Sequence, residues 1–191
     1  FLEGEDCLAT LRAFKAMGAE VLHEAGTGRV RVTGVGKLGL RAPEAPLDVG
    51  NSGTSMRLMS GILAAQAFSS TLTGDASLQR RPMRRVVDPL RTMGAHIDTT
   101  DAGTAPLRIH AVADGLRGIS YTSPIASAQV KSALLLAGLY AQGTTEVREP
   151  EASRDHTERM LAAFGVEIEA EPGRAQLRGE QQLRATDVAV P

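Results

Sequence analysis

The chain has 191 residues, and its 21 Lys and Arg against 22 Asp and Glu give a formal net charge of −1. That balance argues against nucleic acid as the main partner, because binding to a phosphate backbone needs a cationic surface. The four Phe, two Tyr and no Trp also provide no platform on which bases could stack. The single cysteine, Cys7, excludes an internal disulfide and a cysteine-rich zinc site.

The same sequence predicts a cytoplasmic protein that does not engage a membrane. Its longest apolar run, residues 133–140, is far shorter than the roughly 20 residues that span a bilayer. No secretory or lipidation signal is visible. Because the chain starts at Phe1 rather than Met and stops at Pro191 after a strand-like run, we expect a piece of something longer.

In chain order, the first feature is a helix, a glycine and an alternating strand, and this pattern occurs three times. The copies occupy residues 11–21, 90–97 and 160–168, with glycines at Gly18, Gly94 and Gly165. The glycines are 76 and 71 residues apart. A glycine there is typical of a helix C-cap, which favours a left-handed residue just beyond the last turn. The spacing therefore predicts a repeat of about 70 residues.

Two long apolar helices, at 52–68 and 127–141, lie between these copies. In each helix the apolar residues lie on nearly all sides, which is typical of a buried helix. The strands alternate apolar and polar residues instead, so each should have one face on the core and one in water. Their apolar residues are Val30 and Val32, Leu107 and Ile109, and Val166 and Ile168. We predict one α/β domain over residues 1–191, with buried helices wrapped by half-exposed sheets.

The first candidate site is the turn Gly50–Arg57 (GNSGTSMR), which follows a short strand and opens the first buried helix. Small residues let a ligand approach backbone N–H groups that have no partner within the helix, and the helix dipole favours an anion there. Arg57 lies one turn inside, where its guanidinium could bind a carboxylate or phosphate. The turn considered alone is also explained by a simple helix N-cap, which is the more common role of such a turn.

The second candidate site, Ser127–Gln129, opens the matching helix of the next repeat. Ser127 could cap the helix or bind an oxyanion, and Gln129 offers both an amide donor and an acceptor. Capping alone is again an open alternative. Because the two helix starts occupy equivalent places in successive repeats, we expect them to face the same cleft.

Further candidates are cationic. Residues 79–85 (QRRPMRR) hold four arginines around Pro82, a residue suited to the first turn of a helix. Arg81, extended before the proline, is predicted to face inward, and the others could form a solvated basic surface. Ser153 is predicted to cap the next helix, and Arg154 follows it.

Several residues are assigned no chemistry. Near Ser153 the acidic residues and His156 lack zinc-ligand spacing, so no metal site is predicted. Lys131 and Arg159 are interpreted as paired or snorkelling side chains rather than catalytic ones. The chain also shows no evident general acid/base set of its own.

Four segments together resemble the 5-enolpyruvylshikimate-3-phosphate synthase family: GNSGTSMR at 50–57, GDASLQRRPM at 74–83, SAQVKSALLLAG at 127–138 and SRDHTE at 153–158. The resemblance covers essentially the whole chain, and the four motifs occur in the order that the family has. The sequence is most similar to the bacterial, glyphosate-related branches of the family. It implies the enolpyruvyl transferase-like inverse α/β barrel, with two domains each built from three βαβαββ units, helices inside and sheets outside. Leu58 replaces the proline that many members carry.

The resemblance implies transfer of the enolpyruvyl group of phosphoenolpyruvate to the 5-hydroxyl of shikimate 3-phosphate, with release of phosphate and no metal or organic cofactor. By matching motif, the implied contacts to shikimate 3-phosphate are Ser127, Ala128, Gln129, Ser153 and Arg154. Those to phosphoenolpyruvate are Asn51, Gly53, Arg81 and Gln129. Thr54 and Arg57 are implied to support the Gly53 turn.

The resemblance also implies that the acid/base residues belong to a second lobe that this chain lacks. We therefore expect no catalytic residue here, weak binding of shikimate 3-phosphate and no turnover by the isolated chain. Two alternatives stay open: a UDP-N-acetylglucosamine enolpyruvyl transferase, for whose loop cysteine Cys7 is in the wrong place, and a non-catalytic anion-binding module.

Overall fold

The structure is a computed structural model that describes residues 1–189. In chain order its elements are α1 Glu5–Ala16, β1 Glu20–Glu24, β2 Arg29–Thr33, β3 Leu47–Asp48, α2 Gly53–Leu63, β4 Ser70–Thr73, α3 Arg84–Thr92, β5 His96–Asp98, β6 Leu107–His110, β7 Ser120–Thr122, α4 Ala128–Gly138, β8 Thr144–Arg148, α5 His156–Ala163, β9 Ile168–Glu171 and β10 Arg174–Arg178. A 3₁₀ turn, Leu78–Arg80, precedes α3.

Two four-stranded sheets share one topology. Their strand orders are β3-β4-β6-β5 and β7-β8-β10-β9. In each sheet the first pair is parallel and the other two pairs are antiparallel. Each sheet comes from a β-α-β-α-β-β segment, and α1-β1-β2 repeats the last half of that segment. The predicted repeat with this unit is confirmed.

The three repeat glycines adopt the left-handed conformation that the sequence predicted. Their φ angles are +94° at Gly18, +100° at Gly94 and +82° at Gly165. Residues other than glycine seldom adopt such angles. The carbonyl of the residue just before each glycine accepts a hydrogen bond, always 2.8 Å long, from the backbone N–H of a later arginine. The pairs are Arg41 with Met17, Arg117 with Met93 and Arg184 with Phe164.

Helices α2 and α4 pack against each other inside the molecule, as their all-round apolar pattern predicted. Met56, Leu63, Leu134 and Leu135 are completely inaccessible to solvent. The two helices approach very closely at Gly61, where a Cβ atom would lie 2.1 Å from the carbonyl oxygen of Ala133. Backbone contact of this kind requires a residue without a side chain.

The outer strands follow the predicted alternation only in part. Leu107 and Ile109 are buried on either side of the exposed Arg108. The prediction for β2 is wrong, because Val32 is 59% exposed. Strands β1 and β2 form a sheet of two strands only, so Val21 reaches the core but the valines of β2 do not. Val166 is buried ahead of β9 rather than within it, and Ile168 is half-buried.

No helix among residues 1–189 combines the length and the apolar character needed to cross a membrane.

Candidate functional site

The starts of α2 and α4 meet through one side chain, Gln129. Its Nε2 donates a 2.7 Å hydrogen bond to the hydroxyl of Thr54. Its Oε1 accepts a 2.9 Å hydrogen bond from Nη1 of Arg57. The expectation that the two helix starts face a common cleft is therefore confirmed.

The turn before α2 is fixed by carboxylates on both sides. The Gly50 N–H donates a 2.8 Å hydrogen bond to Asp48, and the side chain of Ser52 caps the helix by accepting one of 3.1 Å from the Ser55 N–H. Asn51 donates its amide to Asp75 at 2.7 Å and accepts a hydrogen bond from Nη2 of Arg81. The Asn51 amide and the Leu78 N–H lower the pKa of Asp75, so this acceptor stays ionised and holds the turn.

Two guanidinium groups lie over Gly53, the first residue of α2. A Cβ atom at this position would be 2.8 Å from Nη1 of Arg57 and 3.1 Å from Nη1 of Arg81. Burial and the neighbouring positive charges of Arg81 and Arg85 lower the pKa of Arg57. The like charges at the positive end of a helix dipole create a potential that favours an anion.

Arg81 is the inward-facing arginine of its group, as predicted. Its backbone is extended, at φ −78° and ψ 136°, and it is half-buried, whereas Arg80, Arg84 and Arg85 are exposed. The placement of Pro82 in the first turn of a helix is wrong. Helix α3 begins at Arg84, and the Pro82 carbonyl instead accepts a 3.3 Å hydrogen bond from Arg57.

The start of α4 forms one wall of a cleft of about 160 Å³. We call this the α2–α4 cleft, and it is lined by Thr54, Leu58, Ala128, Gln129, Ser132, Arg154, His156 and Thr157. Ser127 caps α4, because its hydroxyl oxygen accepts a 3.4 Å hydrogen bond from the Val130 N–H. Because the Ser127 oxygen acts as an acceptor in this bond, the hydroxyl hydrogen remains available to be donated to another group.

Ser153 has a different role from the one the sequence predicted. Helix α5 begins at His156 with Asp155 at its N-cap position, so the prediction that Ser153 caps this helix is wrong. The Ser153 hydroxyl donates a 2.6 Å hydrogen bond to Glu149 instead. The first N–H groups of α5 receive no side-chain cap, and the Ser153 hydroxyl instead donates its hydrogen to a charged acceptor, which gives a stronger bond than one between neutral groups.

Sequence reasoning missed a buried ionic cluster beneath the serines. Lys131 bonds to Glu149 at 3.1 Å and to Glu158 at 2.7 Å, and all three side chains are at most 5% exposed. Lys131 is thus paired, as one of the two interpretations held, and does not snorkel. Burial by itself would lower the pKa of Lys131, but the two carboxylates outweigh it and raise that pKa. The signal was a lysine on a helix with apolar residues all round, because a charge buried there requires an acid nearby.

The described residues do not contain a metal-binding cluster: among residues 1–189 no three His, Cys, Asp or Glu side chains converge in a way that could hold an ion. The cleft and the neighbouring start of α2 together hold hydroxyls, an amide and the guanidiniums of Arg57, Arg81 and Arg154. Such a set binds phosphates and carboxylates.

A family model of EPSP synthase (3-phosphoshikimate 1-carboxyvinyltransferase) matches residues 1–191, the full chain. The chain belongs to the EPSP synthase family. This agrees with the resemblance carried by its four motifs, and it fits the repeated units and the meeting of α2 with α4 described above.

Individual relatives give the same family. Proteins of Methylococcus capsulatus and Xanthomonas campestris, both named 3-phosphoshikimate 1-carboxyvinyltransferase, are 63% and 59% identical to this chain over its whole length. Two solved structures of EPSP synthase from Acinetobacter baumannii are 54% identical, with TM-scores of 0.95 and 0.96. The inverse α/β fold of EPSP synthases is therefore the fold of this chain. The chain spans 43% of the length of each of these relatives.

Proposed function

We propose that this chain forms the part of an EPSP synthase that binds and orients the substrates. The reaction is transfer of the enolpyruvyl group of phosphoenolpyruvate to the 5-hydroxyl of shikimate 3-phosphate, with release of phosphate, in the cytoplasm. The observation that carries the proposal is the double hydrogen bond of Gln129, which joins the starts of α2 and α4 at one cleft.

We assign shikimate 3-phosphate to the side of the α2–α4 cleft that belongs to α4. Ala128, Gln129 and Arg154 line the cleft, and Ser127 and Ser153 bond to the same carboxylate at its edge. Arg154 is exposed, so its guanidinium is accessible to a phosphate. Guanidinium and hydroxyl donors together suit a phosphorylated, hydroxyl-bearing ring.

We assign phosphoenolpyruvate to the start of α2. Asn51, Gly53 and Arg81 lie together there, and Gln129 reaches this place from α4. Thr54 and Arg57 hold Gln129 and so support the site rather than contact the ligand. The clustered guanidiniums favour a ligand with several negative charges, because such a ligand relieves their mutual repulsion.

In this assignment the residues of this chain bind and orient, and they supply fixed donors where negative charge collects on the departing phosphate. Proton transfer to and from the enolpyruvyl carbon requires an acid and a base. We propose that both come from a second lobe of the whole enzyme, since the chain spans 43% of its relatives.

Titration of the 191-residue chain with shikimate 3-phosphate by calorimetry tests the proposal. We expect weak binding that Arg154→Ala reduces by about tenfold, since one charge-assisted hydrogen bond contributes about 1.5–3 kcal/mol. Arg178→Ala, at an exposed arginine in β10, is the matched control and should bind like the unmodified chain.

Two results would contradict this proposal. Binding that is indifferent to Arg154→Ala would favour a general anion-binding module. Steady phosphate release from the isolated chain with both substrates present would show that its own residues complete the reaction.

A further inference from the structure

One carboxylate, Glu149, bonds to both serines of the proposed shikimate 3-phosphate site. Its Oε1 accepts a 2.6 Å hydrogen bond from the backbone N–H of Ser127. Its Oε2 accepts a 2.6 Å hydrogen bond from the hydroxyl of Ser153. The serines belong to different parts of the chain, one at the start of α4 and the other in the segment before α5, and Glu149 holds them at a fixed separation.

The Glu149 carboxylate is itself held in place by a buried ion pair with Lys131. The Glu149 side chain is 1% exposed, and Lys131 of α4 bonds to its Oε2 at 3.1 Å while also bonding to Glu158 of α5 at 2.7 Å. The second oxygen of Glu158 is buried and has no hydrogen-bond partner in the part of the chain that the structure describes. The cluster ties the residue after β8 to α4 and α5, and both of these helices contribute residues to the lining of the cleft.

A buried ionic cluster is a poor device for stability alone. Removing charges from water costs about as much as their mutual attraction returns, so an apolar cluster of the same volume would stabilise the fold equally well or better. Hydrogen bonds to ionised groups are, however, short and directional. Glu149 thus gives the two serines a defined position that apolar packing would not provide.

The bonds also determine what each serine can offer a ligand. The Ser127 oxygen accepts from the Val130 N–H, so its hydroxyl hydrogen is free to be donated to a phosphate. The Ser153 hydroxyl gives its only hydrogen to Glu149. The Ser153 oxygen therefore presents only lone pairs to a ligand, and these suit a ligand hydroxyl. If an incoming phosphate accepts the Ser153 hydrogen instead, Glu149 still has Lys131 as its partner.

We propose that Glu149, supported by Lys131, is a positioning residue that sets the geometry of Ser127 and Ser153 for shikimate 3-phosphate. The proposal rests on the proposed function of this cleft. It concerns one substrate only, because the residues assigned to phosphoenolpyruvate at the start of α2 do not contact Glu149.

The test compares Glu149→Gln and Glu149→Ala in the 191-residue chain, with calorimetric titration of shikimate 3-phosphate and of phosphoenolpyruvate separately. We expect Glu149→Gln to weaken shikimate 3-phosphate by about tenfold, because the amide keeps one acceptor where two are needed, and Glu149→Ala to weaken it further. Affinity for phosphoenolpyruvate should change less than twofold in both variants. The control is Glu146→Gln, which removes a carboxylate of the neighbouring strand β8 that bonds to Arg174, Arg148 and Ser120 at the surface.

The possible results separate the two proposals. No binding of shikimate 3-phosphate by the unmodified chain overturns the proposed function, and this inference with it. Normal binding that Glu149→Gln leaves unchanged, or equal losses for both substrates, overturns only the role of Glu149. If the Glu149 variants do not fold, Ser153→Ala decides the question: the amide resonance of Ser127 should shift in the unliganded chain because both serines share one carboxylate, and an unchanged resonance overturns the proposal.

Discussion

The side-chain oxygen of Gln129 accepts a 2.9 Å hydrogen bond from the guanidinium of Arg57, although 72 residues separate the two along the chain. Arg57 is half-buried beside other arginines, so this amide is one of the few groups that satisfy its donors. The bond joins equivalent helices of two successive repeats. It places both helix N-termini at one cleft.

Replacing Gln129 should therefore affect both of the proposed substrate sites. We expect Gln129→Leu to weaken the binding of shikimate 3-phosphate and of phosphoenolpyruvate by about tenfold each, because it removes two hydrogen bonds and leaves a half-buried guanidinium with one acceptor fewer. Separate calorimetric titrations of the two ligands measure this. Gln142→Leu, at an exposed glutamine, is the control, and a loss confined to one ligand would contradict the bridging role.

Gly53 should be sensitive on the phosphoenolpyruvate side only. In Gly53→Ala the new methyl group would lie 2.8 Å from Arg57 and 3.1 Å from Arg81, so both guanidiniums must shift by a few tenths of an ångström. We expect affinity for phosphoenolpyruvate to fall severalfold and affinity for glyphosate, the inhibitor that the family resemblance implies for the same place, to fall more, with shikimate 3-phosphate bound as before. Titration of the chain with each compound checks this, and equal losses for all three would exclude the assignment of Gly53.

Gly61 tests the packing of the two buried helices. Alanine has the higher helix propensity by about 1 kcal/mol, yet its Cβ would lie 2.1 Å from the Ala133 carbonyl oxygen. We expect Gly61→Ala to reduce the free energy of unfolding by about 2 kcal/mol or more and the melting temperature by about 4–8 °C. Gly34→Ala is the control because no atom lies within 4 Å of its Cβ position. A melting temperature that Gly61→Ala leaves unchanged or raises would show that the helices can separate without cost.

Acid should destabilise the fold partly through Glu146. Hydrogen bonds from Arg148, Ser120 and Arg174 lower the pKa of Glu146 from 4.5 to about 2. Because the folded pKa is the lower one, these bonds stabilise the fold fully above about pH 4.5, and the stabilisation is lost as the pH falls toward 2.

Urea unfolding of the chain between pH 6 and pH 2 measures this effect. Glu146→Gln should be less stable than the unmodified chain at pH 6, and the difference should shrink as the pH falls through the window from 4.5 to 2. Glu151→Gln, at an exposed glutamate, should keep the original pH profile. A difference that is constant across the window would mean that the Glu146 carboxylate does not titrate with a lowered pKa.

Local patterns were enough to predict much of the fold. Gly18, Gly94 and Gly165 follow helices and precede strands, so their left-handed conformation followed from neighbours in sequence. The burial of α2 and α4 followed from apolar residues on every side of each helix. The motif at 50–57 was placed correctly at the start of α2 because it directly precedes the apolar helical run.

Predictions that depended on a distant partner were the ones that were wrong or missing. Ser153 was expected to cap α5, but Glu149 binds its hydroxyl. Val32 was expected to face the core, but β2 belongs to a sheet of only two strands. The position of Lys131 on a helix that is apolar on every side indicated a buried charge, but nothing in the sequence identified Glu158, 27 positions further along the chain, as its partner.

The sequence by itself determined the repeat and the class of fold, because glycine conformation and helix burial depend on neighbouring residues. The tertiary structure alone decided which donors converge and which charges are buried together. Those outcomes depend on side chains that meet across helices, and the energy of such a contact depends on distance and on the exclusion of water rather than on separation along the chain.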